Sequence, residues 1–298
     1  MDKVKVIYTV WYWHSGSSLI NAILWWANDS IAVSELIKLW HRIRKLWNSK
    51  ILSNRWKCQW CRENIYNCKL WSQVLKEVPK DNIYFQNENF LDNLKISLNI
   101  LFWFPKINFN NLDDTKLYNS IIKNSNKIYD KNINTVVDSS KDPRRLKYLQ
   151  KNPNIDLYVI YLTRDLRWVS NSMEKRWKNF WRTYIIWHIW NILSYITYKK
   201  HNKNKKIMIS YDKFTQNPDK YLKRIKDKFN IDLNMEDYLD NANKQEIHYI
   251  WWNSMQKKDI TEIKYDQSWK KRMPKWKQFI LNMICYIPNK IWVYNKKL

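Results

Sequence analysis

Residues 4–19 read Val4-Lys5-Val6-Ile7-Tyr8-Thr9-Val10-Trp11-Tyr12-Trp13-His14-Ser15-Gly16-Ser17-Ser18-Leu19. Val4, Val6, Tyr8 and Val10 alternate ahead of the turn, which is the period of a strand. Leu19, Ile20, Ile23 and Leu24 then recur at helical spacing, so a helix begins near Ser17. A turn of small hydroxyl residues between a strand and a helix start offers free backbone N–H groups and the positive end of the helix dipole. Those are the physical requirements of a phosphate site. Gly16, the only glycine, sits in the middle of this turn. Aligned on the phosphate loop GxxxxGK[ST], Trp11 takes the first Gly position, Gly16 the second, and Ser17 the place of the Lys. The missing Lys argues against an ATPase or GTPase, because that Lys serves the β- and γ-phosphates. A plain turn with a Ser-rich helix cap is the alternative that the loop alone leaves open.

The chain has 298 residues, with 53 Lys and Arg against 27 Asp and Glu, a net charge of +26. That length can bury a full core, and 45% hydrophobic content argues against wholesale disorder. The longest apolar-looking stretch, Tyr184–Tyr198, is broken by His188, Asn191 and Ser194 and is too short and polar to span a membrane. The opening residues lack the apolar core of a signal peptide, and four cysteines are too few for a disulfide scaffold. The expectation is a soluble cytoplasmic protein.

One count is abnormal. There is one Gly and there are 20 Trp. Ordinary Gly usage of about 7% predicts roughly 21 in a chain of this length. The Gly and Trp counts together equal that expectation. Turns, helix caps and phosphate loops need positive φ or close backbone approach, which a 298-residue chain can scarcely do without glycine. Most of these Trp are therefore read as glycines encoded by UGA, a codon that some bacterial lineages translate as Gly and another code as Trp. The Lys, Asn and Ile bias fits an AT-rich genome. A truly Trp-rich chain is the alternative.

Further strands are expected at Asn134–Asp138, Leu157–Thr163 and Lys206–Tyr211, with helices at Pro143–Gln150, Leu166–Arg176, Arg182–Lys200 and Pro218–Phe229. Ala32–Leu46 reads as partly helical and Trp56–Trp71 as a loop. Strands alternating with helices predict an α/β domain with a parallel sheet.

The first loop resembles the 5′-phosphosulfate loop of sulfotransferases that use 3′-phosphoadenosine 5′-phosphosulfate (PAPS). Four further features resemble that family in its order. Arg164-Asp165-Leu166-Arg167-Trp168 after a buried strand, with Ser172 eight residues past Arg164, is similar to the family's 3′-phosphate motif Arg-Asp-x-Arg-Gly. A guanidinium fixed at a strand end can grip a phosphate bidentately, and a hydroxyl on the next helix can add a contact. Asp138-Ser139-Ser140-Lys141 resembles the family's Asp-Ser-Ser-Lys segment. Glu35 follows His14 by 21 residues, a spacing similar to the branch in which a Glu is the general base. His248-Tyr249-Ile250-Trp251-Trp252-Asn253-Ser254-Met255-Gln256 resembles the late loop His-x-Ile-Gly-Gly-Asn-x-Met-Arg. Gln256 departs from the usual Arg, but Lys257 and Lys258 follow it. Asp266-Gln267-Ser268-Trp269 resembles the family's closing segment.

The resemblance implies a P-loop-NTPase-like three-layer sandwich, with a central parallel sheet flanked by helices and helical insertions. It implies one domain over residues 1–298, with a core at about 3–273, a Cys-rich loop at 56–71, a variable insertion at 79–130 and a basic tail at 274–298. It implies PAPS as co-substrate, a hydroxyl-bearing acceptor (carbohydrate, tyrosine or another alcohol), and no required metal. Glu35, His14 and Lys141 are the implied catalytic residues. Trp11, Trp13, His14, Ser15, Gly16, Ser17, Ser18, Arg164, Ser172, Trp251, Trp252, Asn253 and Lys257 are the implied cofactor-binding positions. The alternatives are a P-loop nucleotide kinase and a basic, aromatic-rich nucleic-acid binder. The Lys residues are scattered and no nucleic-acid motif is present, so no specific nucleic-acid partner is expected.

Cys58-x2-Cys61-x6-Cys68 has three thiols but no second Cys pair to complete a metal set. Cys285 is distant, and His41 is nearer in sequence. The segment resembles a Cys-rich loop of bacterial sulfotransferases and is expected to be structural, with a metal site as the alternative.

The coding DNA tests the glycine reading directly. UGA is expected at Trp11, Trp13, Trp168, Trp251 and Trp252. UGG is expected at Trp71 and Trp269, which match Trp positions of the resembled family. UGG at the first five would overturn it.

Overall fold

The computed structural model describes residues 3–11, 16–37, 57, 58, 61–78, 90–103, 113–174, 180–236, 248, 263, 265 and 267–293. Five strands form one parallel sheet in the order β2-β3-β1-β4-β5, with β1 at Val4–Val10, β2 at Ser30–Ser34, β3 at Thr135–Lys141, β4 at Ile155–Thr163 and β5 at Lys206–Ser210. In register, β1 sets Val6 beside Val136 on one side and beside Leu157 on the other. The central strands carry continuous apolar runs because helices cover both faces of an all-parallel sheet. Val6, Ile7, Val136, Val137, Val159 and Ile160 are wholly buried. Each such side chain contributes about 1.5–3 kcal/mol relative to exposure.

The helices are α1 (Ser17–Trp25), α2 (Trp71–Glu77), α3 (Phe90–Phe102), α4 (Thr115–Tyr129), α5 (Pro143–Leu149), α6 (Leu166–Glu174), α7 (Phe180–Lys199), α8 (Tyr211–Phe214), α9 (Pro218–Phe229), α10 (Ser268–Arg272) and α11 (Lys275–Trp292). Local chemistry sets their ends. Asn217 accepts from the Lys220 N–H and Pro218 opens the first turn of α9, while Asn230 closes it with φ 47°. No helix among the described residues is long and apolar enough to cross a membrane.

Two sequence expectations change. The region read as partly helical begins instead as strand β2, because Ile31, Ala32 and Val33 are buried together and a short apolar run has no period that separates strand from helix. The stretch read as a basic tail holds helix α11. Its Leu281 and Cys285, with Val293 just past its end, pack with Leu166, Val169, Met173, Trp187 and Met273 in a second apolar cluster. Residues 38–56, where the rest of the expected helical segment falls, lie outside the described residues.

Beneath the end of β3 lies a buried ionic network. Arg145 on α5 is fully buried and pairs with Asp114 at 2.7 Å and Asp138 at 3.1 Å. Tyr118 on α4 donates to Asp138 at 2.8 Å and accepts from Arg145 at 2.9 Å. Removing one partner of such a set strands the others in low dielectric. Arg145→Met is expected to lower the unfolding free energy by about 3–5 kcal/mol in urea denaturation. A loss below about 1 kcal/mol, the scale of a surface pair, would show that the network is dispensable.

Candidate active site

All five strands are parallel, so their C-terminal ends share one edge of the sheet. The chain order turns back at β1, and the crevice at such a switch point is where open α/β sheets bind ligands. Read across that edge from β2 to β5, the residues at the strand ends are Glu35, Lys141, Trp11, Arg164 and Tyr211. Four of these five are sequence-predicted site residues.

Glu35 and Lys141 meet there. The Lys141 Nζ lies 2.6 Å from Glu35 Oε1, and both side chains are buried. Ser34 and Lys141 both hold positive φ, 61° and 68°, without being glycine. The β2–β3 and β1–β3 registers shift at these same residues. Two neighbouring strands thus spend backbone strain of about 1–3 kcal/mol per residue to aim an acid and a base at each other. The surroundings hold them. Ser140 Oγ accepts from the Ile37 N–H at 3.1 Å, Ser139 donates to Asn21 on α1, and Trp190 Nε1 donates to the Lys141 carbonyl at 3.1 Å. The Trp11 ring centroid lies 4.9 Å from Lys141 Nζ, and the Trp11 indole N–H is buried without a partner among the described residues.

Arg164 is buried between two rings. Its guanidinium carbon is 3.0 Å from the Trp168 ring centroid and 4.3 Å from that of Tyr211. The guanidinium therefore lies against the face of the Trp168 ring. Gly16, at φ 93°, is the N-cap of α1, and a Cβ there would fall inside the Tyr211 ring. Glycine is required at that position twice over, for its backbone and for its space.

The two Asp-x-Arg segments share a structural device. Asp142 accepts from the Arg144 N–H at 2.8 Å while the Arg144 side chain folds back onto the same carboxylate. Asp165 does the same with Arg167. Each is a helix cap neutralised by its own arginine. Arg167 is thereby committed to α6, which leaves Arg164 as the guanidinium of its motif facing the crevice side chains. Asn289 of α11 completes this corner, accepting from the Leu166 N–H and donating to Asp165, both at 3.0 Å.

Ser17 is buried at the first position of α1, Ser18 follows it half-buried, and Ser172 is half-buried on α6. Trp13, His14, Ser15, Trp251, Trp252, Asn253 and Lys257 lie outside the described residues. Sequence reasoning missed Tyr211 and Asn289. Tyr211 follows the last strand directly, a position that a parallel sheet marks as site-facing. Asn289 carries no local signal.

Thirteen per cent of residues are identical to the sulfotransferase domain of the curacin biosynthetic pathway, with a TM-score of 0.52 over 95% of this chain and 98% of that one. The chain has a sulfotransferase fold. The sulfotransferase domain of the Synechococcus PCC 7002 olefin synthase aligns with a TM-score of 0.50 at 15% identity, over 95% of this chain and 94% of the other. No protein-family model and no curated protein sequence matches the chain. At such identity the fold is shared while the side chains are this protein's own, so the sulfotransferase frame is common and the geometry of its strand ends must be argued from the residues present.

Asp212 adds a titration to this corner of the sulfotransferase fold. Burial pushes its carboxyl up to about 6, and the nearby Asp165 carboxylate adds to the push, while the Asp165 N–H at 3.0 Å and the Arg164 charge pull against it. The folded state therefore holds this proton more tightly than the unfolded chain, where Asp titrates near 3.9. The group's contribution to stability is full below about pH 4 and is lost as pH rises through about 6. Asp212→Asn is expected to gain stability over the parent as pH rises from 4 to 7, by roughly 2–3 kcal/mol at pH 7. Urea midpoints measured across that range check it, and a pH-independent difference would refute it.

Proposed function

We propose that this chain is a PAPS-dependent sulfotransferase that transfers the sulfuryl group to a hydroxyl acceptor, and that Trp11, Trp13, Trp168, Trp251 and Trp252 are glycines in the living protein. The observation that carries this reading is the pairing of each candidate cation with an indole. Lys141 faces Trp11, and Arg164 is stacked on Trp168, at two positions where the resembled motifs have Gly. With glycine at both, each cation opens toward the crevice at the strand ends, and the amides of a Gly-rich loop become free to approach a phosphate.

In this reading Ser15, Gly16, Ser17 and Ser18 hold the 5′-phosphate at the start of α1. Arg164 and Ser172 hold the 3′-phosphate, and Trp251, Trp252, Asn253 and Lys257 are further cofactor-binding positions. Glu35 takes the proton of the acceptor hydroxyl as its oxygen attacks sulfur. The bond from sulfur to the bridging oxygen of PAPS breaks, and adenosine 3′,5′-bisphosphate (PAP) leaves. Lys141, released from Glu35 by the incoming anion, and His14 offset the charge that grows on the bridging and sulfuryl oxygens. Most of the acceleration comes from positioning and charge, as in phosphoryl transfer. Ser17 at the position of the P-loop Lys leaves no cation for a triphosphate there, which favours this reading over a kinase.

Two variants of the glycine-restored protein separate binding from chemistry. Arg164→Ala is expected to weaken PAP binding about 10–100-fold in calorimetry, the worth of a charge-assisted contact. Glu35→Gln is expected to abolish turnover while PAP affinity stays within about twofold of the parent. Unchanged PAP affinity in the first, or retained turnover in the second, would overturn the assignment.

A further inference from the structure

The Cys-rich loop completes a donor set that its own sequence lacks. Cys58, Cys61 and Cys68 converge with His248, and their four ligand atoms lie within 4.8 Å of one another. Cys58, Cys68 and His248 are buried. The fourth donor is neither the distant Cys285 nor the nearer His41, but a residue 190 positions from Cys58. His248 Nδ1 is 3.2 Å from the sulfur of Cys58 and 3.2 Å from that of Cys68. As a hydrogen bond, this nitrogen would have to be divided between two sulfurs, which weakens both contacts. A cation between them can bind all of these atoms.

The backbone holds this arrangement in place. Lys57 and Asn64 form an antiparallel bridge, the Cys58 N–H donates to Glu63 at 2.8 Å, and Arg62 N–H returns to the Cys58 carbonyl at 3.1 Å. Arg62 takes φ 59° to close this tight turn, which carries Cys58 and Cys61 on one knuckle. The Cys68 N–H donates to the Asn64 carbonyl at 2.9 Å, setting the third thiol just before α2. From the far side, Trp71 Nε1 donates to the His248 carbonyl at 2.7 Å and fixes the imidazole against the loop. His248 Nε2 has no partner among the described residues, so it can keep the proton while Nδ1 offers its lone pair to a metal.

We infer that Cys58, Cys61, Cys68 and His248 bind one zinc ion. Three thiolates and an imidazole form a closed tetrahedral set, the pattern of structural rather than catalytic zinc. Tetrahedral Zn–S bonds of about 2.3 Å and Zn–N bonds of about 2.0–2.1 Å place donors roughly 3.5–3.8 Å apart. The observed separations, from 3.2 Å up to within 4.8 Å, bracket that spacing. Soft sulfur ligands select zinc over magnesium or calcium. The ion clips together segments 180 and 190 positions apart, and such long-range closure is where a cross-link removes most entropy from the unfolded chain. The inference stands on these four side chains and is independent of the sulfuryl-transfer reading.

Elemental analysis of the purified 298-residue chain, prepared under reducing conditions, tests it. About one zinc per chain is expected, with occupancy lost in His248→Ala and Cys68→Ser and retained in Cys285→Ala. After chelation, cobalt titration is expected to give thiolate charge-transfer bands and the intense visible bands of a tetrahedral site. His248→Cys, which keeps a fourth donor, is expected to retain those bands, which separates lost ligation from lost folding. No metal in the parent, iron in place of zinc, a Cys58–Cys68 disulfide, or full zinc occupancy in a folded His248→Ala would each overturn the proposal.

Discussion

The candidate site depends on one buried charge. Arg145 is wholly enclosed, and its guanidinium reaches Asp114 and Asp138 from opposite sides. Its desolvation is tolerable only because two carboxylates and the Tyr118 hydroxyl answer it. Asp138 is shared. While Arg145 and Tyr118 hold one of its oxygens, the other accepts from the N–H and hydroxyl of Ser140. The last turn of β3 is therefore fixed from below before Lys141 leaves it at positive φ. A charge that touches no proposed ligand sets the position of one that does.

Much of the frame was legible because periodicity is a local property. The alternation through Val4–Val10, the apolar run of β4 and the Asn217–Pro218 start of α9 all follow from neighbouring residues. The misreadings arise where local pattern is silent or conflicting. Strand β2 is short and apolar on both faces. Helix α11 reads as a basic tail because Lys residues punctuate it and because Trp276, Phe279, Met283 and Tyr286 stay exposed, so its inner face does not stand out.

The site divides along the same line. Glu35, Lys141, Trp11 and Arg164 could be named because each lies in a stretch that resembles a family motif, and the parallel sheet brings all four to one edge, at or just past a strand end. Asn289 and the ligand role of His248 could not, because no local motif marks either and each meets its partner only through the fold. The Asp-x-Arg motif was legible as sequence and not as physics: only the geometry separates the arginine that caps α6 from the one stacked between two rings.

The tryptophans give the strain in this chain a pattern. An indole N–H that is buried usually finds an acceptor, and leaving one unpaired costs about 1–3 kcal/mol. Trp71 finds its acceptor in the His248 carbonyl, and Trp269 is buried with its ring 4.9 Å from the Arg167 guanidinium. These two are expected to be genuine tryptophans. Trp11, Trp25 and Trp26 carry buried indole N–H groups with no partner among the described residues, and Trp168 covers the Arg164 guanidinium with its ring. An unpaired indole N–H thus falls at Trp11, where the motif asks for glycine, and at Trp25 and Trp26, which no motif covers, but not at Trp71, where the motif asks for tryptophan. A sequence under selection for real indoles would supply acceptors for them. A glycine at position 11 would leave no N–H to satisfy and would clear the face of Lys141 that an anion must reach.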